Sequence, residues 1–254
     1  MTLQVGPELT HSRMPKSDRR ASSRWGDFPP PPPVRATPRS EPLESGRLER
    51  VAAISMLLML TPVIALVIVA IKIDSPRSPV FYRQERVGVD RRRQTMRPMS
   101  GERRKTRGFG RLFLIWKFRT MVPNAEALTG PVWAAERDPR ITRVGRVLRQ
   151  LRLDELPQLL NVATGEMSLI GPRPERAHFV EKLSEEMPTY EQRLSVPPGI
   201  TGLAQVEREY DASVNDVRTK LQYDLFYVKH RSTLMNVKIL IKTVDVVLRG
   251  RGAR

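Results

Sequence analysis

An uncharged apolar run from Val51 to Ile71 constrains the fold of this chain more than any other feature. As one straight helix it would be about 30 Å long, enough to cross the hydrocarbon core of a bilayer. Thr61-Pro62 lies at its centre. Because proline removes a helical hydrogen bond and clashes with the preceding turn, the sequence predicts a kink at this point.

Basic residues flank both ends of the apolar run: Arg47 and Arg50 before it, Lys72 and Arg77 after it. Membrane proteins concentrate Lys and Arg on the cytoplasmic side, and one spanning helix cannot place both flanks there. We therefore predict a re-entrant membrane helix over 47–75 that enters and leaves on the cytoplasmic face. A single transmembrane helix is the alternative, since such helices tolerate proline.

The chain as a whole is strongly basic, with a formal net charge of +17 in 254 residues. Residues 1–46 are nearly balanced, with seven Lys or Arg against five Asp or Glu, so the excess charge belongs to the remainder. Each basic residue near an anionic membrane contributes about 1 kcal/mol of attraction, so anionic lipid is the expected partner. Nucleic acid is disfavoured because aromatic residues make up only 6% and, without cysteine, there is no zinc-finger spacing.

Composition divides the chain into three predicted regions. Residues 1–46, with five consecutive prolines, are predicted to be a disordered Pro/Arg-rich tail. The membrane helix follows at 47–75, and 76–254 is predicted to be one cytoplasmic domain of mostly helical α+β class with surface amphipathic helices. Strands are predicted at 80–82 and 112–116, and helices at 143–151, 175–186, 214–228 and 234–248. The last helix carries an apolar stripe that suits either the membrane surface or the core.

Two adjacent carboxylates, Asp154 and Glu155, follow a basic helix for which Thr142 is the expected N-cap. If Asp154 caps the next helix, it should be exposed, ionised and held by free backbone amides at the positive end of the helix dipole. A charged nucleophile or metal ligand is then expected. An ordinary capping pair is the alternative.

A second motif, Pro172-Arg173-Pro174, places an arginine between two prolines. The prolines restrict the backbone, which lowers the ordering cost of presenting a planar guanidinium to a phosphate or carboxylate. A proline-rich turn whose arginines face water is equally compatible with this motif.

The run from 79 to 250 resembles the bacterial sugar transferases known as monotopic phosphoglycosyl transferases. The resemblance rests on the order and spacing of several blocks: 79–88, 117–121, 138–146, 152–158, 165–176, 198–206 and 220–228. Relatives of this kind carry a re-entrant helix broken at a small hydroxyl residue followed by proline, and Thr61-Pro62 occupies that place.

The resemblance implies a two-step transfer at the cytoplasmic face of the bacterial inner membrane. Asp154 would attack the β-phosphate of a UDP-sugar and expel UMP, leaving a covalent aspartyl phosphosugar. Polyprenyl (undecaprenyl) phosphate would then accept the phosphosugar, which initiates exopolysaccharide or glycan assembly. Glu155 would help Asp154 to hold Mg²⁺. Magnesium also suits the composition, because it prefers oxygen ligands and the chain has no cysteine and three histidines.

Phosphoryl transfer depends on neutralising charge around phosphorus, and the matched blocks supply cations for this task. We expect Arg173 and Arg176 at the nucleotide diphosphate. Candidates for further phosphate contacts are Arg86, Lys117, Arg119 and Arg146.

The chain departs from the family pattern at two places. A basic insertion at about 90–110 is expected to dock on anionic lipid, and Asn236 stands where relatives commonly have aspartate, which puts an acid role there in doubt. Relatives with an additional multi-span N-terminal region exist, and we expect the minimal form here.

Two other functions stay open: a membrane-bound glycosyltransferase that releases UDP, and a non-catalytic membrane adaptor. The intact carboxylate pair disfavours the adaptor.

Overall fold

The computed structural model describes residues 45–90, 109–123, 125, 138–207 and 214–249. Helices predominate and are joined by two small two-stranded sheets, which confirms the mostly helical α+β class. The predicted tail (1–46) and basic insertion (about 90–110) lie outside the described residues except at their margins.

The elements follow in this order: α1 (Ser45–Met59), α2 (Thr61–Asp74), β1 (Phe81–Val87), β2 (Leu112–Phe118), α3 (Arg143–Gln150), a 3-10 turn (Leu153–Glu155), α4 (Gln158–Thr164), β3 (Ser168–Ile170), α5 (Ala177–Glu186), a 3-10 helix (Tyr190–Ser195), β4 (Gly199–Thr201), α6 (Leu203–Glu207), α7 (Val214–His230) and α8 (Thr233–Leu248). The two predicted strands correspond to β1 and β2. The four predicted helices correspond to α3, α5, α7 and α8. The helix expected to start at Asp154 corresponds to α4, which begins at Gln158 instead. The sequence did not predict α6, β3 or β4, all of five residues or fewer.

The predicted kink is present where α1 and α2 meet at an angle of 60°. Pro62 has no N–H to donate to the Leu58 carbonyl, and the Thr61 hydroxyl donates to the Leu57 carbonyl at 3.0 Å. Within the described residues, no single helix has the length and apolar composition to cross a bilayer, whereas this bent pair does when its halves are taken together.

One side of the bent pair packs on the domain and the other exposes apolar side chains. Ala53 of α1 packs with Leu159 and Val162 of α4, and α2 packs with Phe118 and Leu148. The exposed apolar residues include Val51, Leu58, Met59, Leu66 and Ile73. The domain thus fixes the pair in position and leaves an apolar face unpaired.

The hairpin of β1 and β2 is antiparallel, with Tyr82 opposite Lys117 and Arg86 opposite Phe113. On the other side of β2, the buried Asn161 of α4 accepts from the Trp116 N–H at 3.0 Å and donates to the Leu114 carbonyl at 2.8 Å. These bonds attach α4 to the open edge of β2. They also bring the 3-10 turn that precedes α4 next to Lys117.

The C-terminal helix α8 buries Met235 and Ile239 against the domain. The apolar stripe noted in the sequence is exposed instead: Val237, Leu240, Ile241, Val244 and Leu248, the last with 81% of its surface accessible. Asn236 accepts a hydrogen bond from the Tyr227 hydroxyl at 3.0 Å. Because an amide oxygen accepts as a carboxylate does, this link between α7 and α8 needs no acid at 236.

Candidate active site

A cavity of about 1130 Å³ lies between β1, the segment after β2, the 3-10 turn and the loop before α5. Seven of the eight residues predicted to act at a site line this cavity: Arg86, Lys117, Arg119, Asp154, Glu155, Arg173 and Arg176. Arg146 does not; it lies exposed on α3. The sequence blocks that were matched separately therefore converge on one concave surface.

The backbone leading to the carboxylate pair differs from the prediction. Thr142 caps α3 as expected, accepting from the Gly145 N–H at 3.0 Å. Arg152 then adopts a left-handed conformation (φ 57°), so the chain turns and the pair enters a 3-10 turn. The prediction that Asp154 is an exposed N-cap is wrong: Pro157 holds the cap position of α4, and Asp154 is only 8% exposed.

Glu155 is held by two cations. Its carboxylate accepts from Lys117 Nζ at 3.2 Å and from Arg173 at 2.5 Å (Nη2) and 3.3 Å (Nη1). Burial alone would raise the pKa of Glu155, but Arg173 and Lys117 outweigh burial and keep the pKa well below its usual range. Glu155 is therefore an anion fixed in position at any ordinary pH.

Asp154 has a different environment although it is the next residue. None of the described residues donates a hydrogen bond to its carboxylate. Burial, followed by the charge of Glu155, raises the pKa of Asp154, and the charges of Lys117 and Arg149 oppose that rise. The two carboxylates therefore have different environments: two cations neutralise Glu155, whereas Asp154 faces the cavity and accepts no hydrogen bond from the described residues.

The sequence analysis did not select Arg149, which lines the cavity. Its Nε donates to the Thr120 hydroxyl at 2.9 Å. Burial lowers the pKa of this guanidinium, and the charge of Asp154 opposes that lowering. Gly145 permits this packing, because a Cβ there would overlap the Thr120 backbone. The sequence signal that could have identified Arg149 is its position one helical turn before the 3-10 turn. Arg146 does not occupy such a position.

The loop that carries Arg173 is held from two directions. Arg193 donates to the Arg173 carbonyl at 2.8 Å and forms a buried ion pair with Asp224, in which each side chain is 3% exposed. On the other side, Arg86 donates to the Pro174 carbonyl at 3.1 Å and pairs with Glu175. The restriction expected from two prolines is therefore reinforced by Arg193, which the sequence analysis did not select, and by Arg86, which it selected for a phosphate contact.

The remaining predicted cations sit at the margin of this arrangement. Arg119 donates to the Pro79 carbonyl at 2.8 Å and packs over the Tyr82 ring, while Arg176 precedes α5 on the cavity wall. Both line the cavity wall and lie outside the Glu155 ion pairs.

Two adjacent carboxylates are the donors available here for a divalent cation. Magnesium is usually bound by one or two carboxylates together with substrate phosphate oxygens and water. The oxygens of Asp154 are available for this, whereas Glu155 already accepts hydrogen bonds from two cationic side chains. In the part of the chain that the structure describes, no cluster of three or more His, Cys, Asp or Glu occurs. The donor set fits a magnesium ion shared with a phosphate substrate.

Comparison with known proteins finds relatives over most of this chain. A sequence profile of the family described as "Bacterial sugar transferase" matches residues 46–250. The UDP-N-acetylgalactosamine-undecaprenyl-phosphate N-acetylgalactosaminephosphotransferase of Aeromonas hydrophila is 41% identical over 207 residues, which cover 82% of this chain and 44% of the relative. The UDP-glucose:undecaprenyl-phosphate glucose-1-phosphate transferase of Escherichia coli (strain K12) is 35% identical over 198 residues, covering 76% of this chain and 38% of the relative.

Relatives of different length are matched by the same region. The chain spans about two fifths of the length of the two transferases just described. A shorter relative, the exopolysaccharide production protein PSS of Rhizobium leguminosarum bv. phaseoli, is 35% identical over 210 residues, covering 79% of this chain and 94% of the relative.

Proposed function

Because the chain belongs to the bacterial sugar transferase family, we propose that it transfers a sugar 1-phosphate from a UDP-sugar to undecaprenyl phosphate. The product would be an undecaprenyl diphosphate sugar that initiates exopolysaccharide or glycan assembly. The observation that carries this proposal is the unengaged Asp154 carboxylate beside a neighbour, Glu155, that two cations hold in place.

In the first step, an Asp154 carboxylate oxygen attacks the β-phosphorus of the UDP-sugar. The bond from this phosphorus to the bridging oxygen breaks, its electrons leave with UMP, and an aspartyl phosphosugar forms. In the second step, an oxygen of undecaprenyl phosphate attacks the same phosphorus and releases Asp154. Partial desolvation of Asp154 favours its role as the nucleophile, because an ionised carboxylate that is poorly solvated is more reactive.

The cations of the cavity wall neutralise the charge that develops on the phosphate oxygens. Lys117, Arg149 and Arg173 lie around the carboxylate pair, and Arg176 and Arg119 extend the positive wall outward. Such positioned charges act without reorganising during the reaction. Magnesium, held by Asp154 with a contribution from Glu155, would supply further neutralisation of the diphosphate.

The product nucleotide distinguishes this function from a glycosyltransferase and from an adaptor. We expect detergent-solubilised protein, incubated with Mg²⁺, undecaprenyl phosphate and a panel of UDP-sugars, to release UMP from at least one donor. Ion-pair chromatography separates UMP from UDP. Release of UDP would identify ordinary glycosyl transfer, and release of neither nucleotide from a full donor panel would favour the adaptor.

We also place the protein, as part of this proposal, on the cytoplasmic face of the bacterial inner membrane, with the bent pair of α1 and α2 as a re-entrant element. Support comes from the exposed apolar face of the pair, the exposed stripe of α8 and the basic residues at both ends of the bent pair. Anionic headgroups are the chemistry that such basic flanks attract.

The topology of the bent pair is testable because the chain contains no cysteine. We expect single cysteines introduced as Gly46→Cys and Pro76→Cys, at exposed positions in the first turn of α1 and after α2, to react with a membrane-impermeant maleimide from the cytoplasmic side only. Inverted vesicles and intact spheroplasts present the two sides. Labelling of the two positions from opposite sides would establish a spanning helix. Pro62→Leu, which restores the missing N–H, is the matched variant, and we expect it to increase labelling of the two positions from opposite sides.

A further inference from the structure

Three side chains of β1 form a connected polar row on the cavity wall. Tyr82, Gln84 and Arg86 point to the same side because side chains alternate along a strand. Arg86 Nη2 donates to Gln84 Oε1 at 2.5 Å, and Gln84 Nε2 donates to the Tyr82 hydroxyl at 3.2 Å. The row is continuous from Tyr82 to the loop that Arg86 holds.

The chemistry of the row fixes its hydrogen-bonding direction. Arginine has no acceptor, so Arg86 must face the Gln84 carbonyl oxygen, and the Gln84 amide nitrogen must then face Tyr82. The Tyr82 oxygen is used as an acceptor, and none of the described residues accepts its proton. Arg119 packs over the ring at 5.9 Å and restrains it. Tyr82 therefore presents an oriented O–H donor to the cavity.

The row lies close to the carboxylate pair. Tyr82 is the cross-strand partner of Lys117, and Lys117 Nζ is 3.2 Å from Glu155 Oε1, beside Asp154. In a UDP-sugar the sugar is bonded directly to the β-phosphate that Asp154 would attack, whereas the nucleobase is separated from it by a second phosphate and a ribose. Groups next to the pair are therefore closer to the sugar than to the base.

We infer that Tyr82 and Gln84 recognise the sugar of the donor, with the Tyr82 O–H and a Gln84 N–H donating to a sugar hydroxyl or acetamido oxygen, and with Arg86 positioning Gln84. This inference rests on the proposed function. It assigns sugar selection to β1, and leaves the diphosphate to Arg173 and Arg176. A donor pair that is oriented in advance discriminates between sugars differing at one oxygen, because the wrong sugar leaves a buried polar group unpaired.

The test measures binding rather than turnover. In the Asp154→Asn protein, which cannot consume donor by the proposed route, titration calorimetry gives dissociation constants for UMP and for UDP-glucose, UDP-galactose and their N-acetylated counterparts. We expect Tyr82→Phe and Gln84→Met to weaken the tightest UDP-sugar by roughly threefold to tenfold, the loss of one neutral hydrogen bond, and to leave UMP within twofold. Glu85→Gln, on the opposite and exposed face of β1, is the matched control and should change neither.

Several results would overturn the inference. Equal weakening of UMP and of every UDP-sugar would assign the row to the nucleotide, and unchanged binding in both variants would remove it from the donor site. Failure of every UDP-sugar to bind would also overturn it. Failure of the proposed function is a separate result, because it is read from UMP release by the wild-type protein, and a glycosyltransferase that releases UDP would still bind the sugar at this row.

Discussion

Replacing Asp154 by asparagine is expected to lower UMP release by at least about a thousandfold, because the amide is nearly isosteric but has no nucleophilic oxygen. Single-turnover measurements with a radiolabelled UDP-sugar should also show no covalent phosphosugar protein. Membrane attachment should be unchanged, since the bent pair of α1 and α2 is a separate element from the 3-10 turn.

The matched control for this substitution is Asp245→Asn. Asp245 is an aspartate of α8 whose side chain is 43% exposed and pairs across one helical turn with Arg249, and such surface pairs contribute little to stability. We expect its activity to match that of the wild type. Near wild-type activity in Asp154→Asn would assign the nucleophile to another group, whereas loss of activity in both variants would point to an indirect effect.

The same substitution should raise the melting temperature at neutral pH. Burial raises the pKa of Asp154 in the folded state, so the ionised carboxylate disfavours folding once the pH exceeds the unfolded value, about 3.9. The free-energy cost of burying the ionised carboxylate is complete above the raised pKa of the folded state, and it decreases as the pH falls below that pKa. The difference in melting temperature between the variant and the wild type should therefore be largest at neutral pH and disappear in acid. A difference in melting temperature that does not change with pH would show that burial of the charged carboxylate is not its cause.

The helices that sequence predicted correctly are those with enough residues to show a period. Helices α7 and α8 repeat their apolar positions over several turns, whereas β1 and β2 were located from the short apolar runs 80–82 and 112–116. The short strands β3 and β4 have three residues each and cannot show a period. Their pairing is parallel and long-range, which no local signal encodes.

The local geometry of the carboxylate pair was predicted incorrectly for a specific reason. Capping preference placed Asp154 at a helix start, but a non-glycine residue, Arg152, takes a left-handed conformation and shifts the pair into a 3-10 turn. Positive φ at arginine is uncommon and depends on tertiary packing, so sequence preference cannot foresee it. Burial of Asp154 and the raised pKa follow from that turn.

The matched sequence blocks led to the selection of the candidate cations, and the structure shows that these cations make different contacts. Lys117 and Arg173, two of the selected residues, meet at Glu155, whereas Arg146 stays exposed on α3. Arg149, three residues further along the same helix, turns into the cavity instead. In a chain this basic, charge and motif membership cannot tell such neighbours apart, because the outcome depends on which side of a short helix meets Thr120.

Arg193→Met is expected to lower the free energy of unfolding by about 3–5 kcal/mol, because it leaves Asp224 buried without its partner. The substitution also removes the donor that holds the Arg173 carbonyl, so the loop facing Glu155 loses an anchor. Chemical denaturation followed by circular dichroism measures the stability, and UMP release measures the consequence for the loop.

The double variant Arg193→Met/Asp224→Leu separates these two effects. Removing both members of a buried ion pair is often nearly neutral for stability, so we expect it to recover most of what Arg193→Met loses. Activity should stay low, since neither replacement can donate to the Arg173 carbonyl. Full recovery of activity together with stability would show that Arg193 acts only through folding, and a single variant as stable as the wild type would show that the ion pair does not stabilise the domain at all.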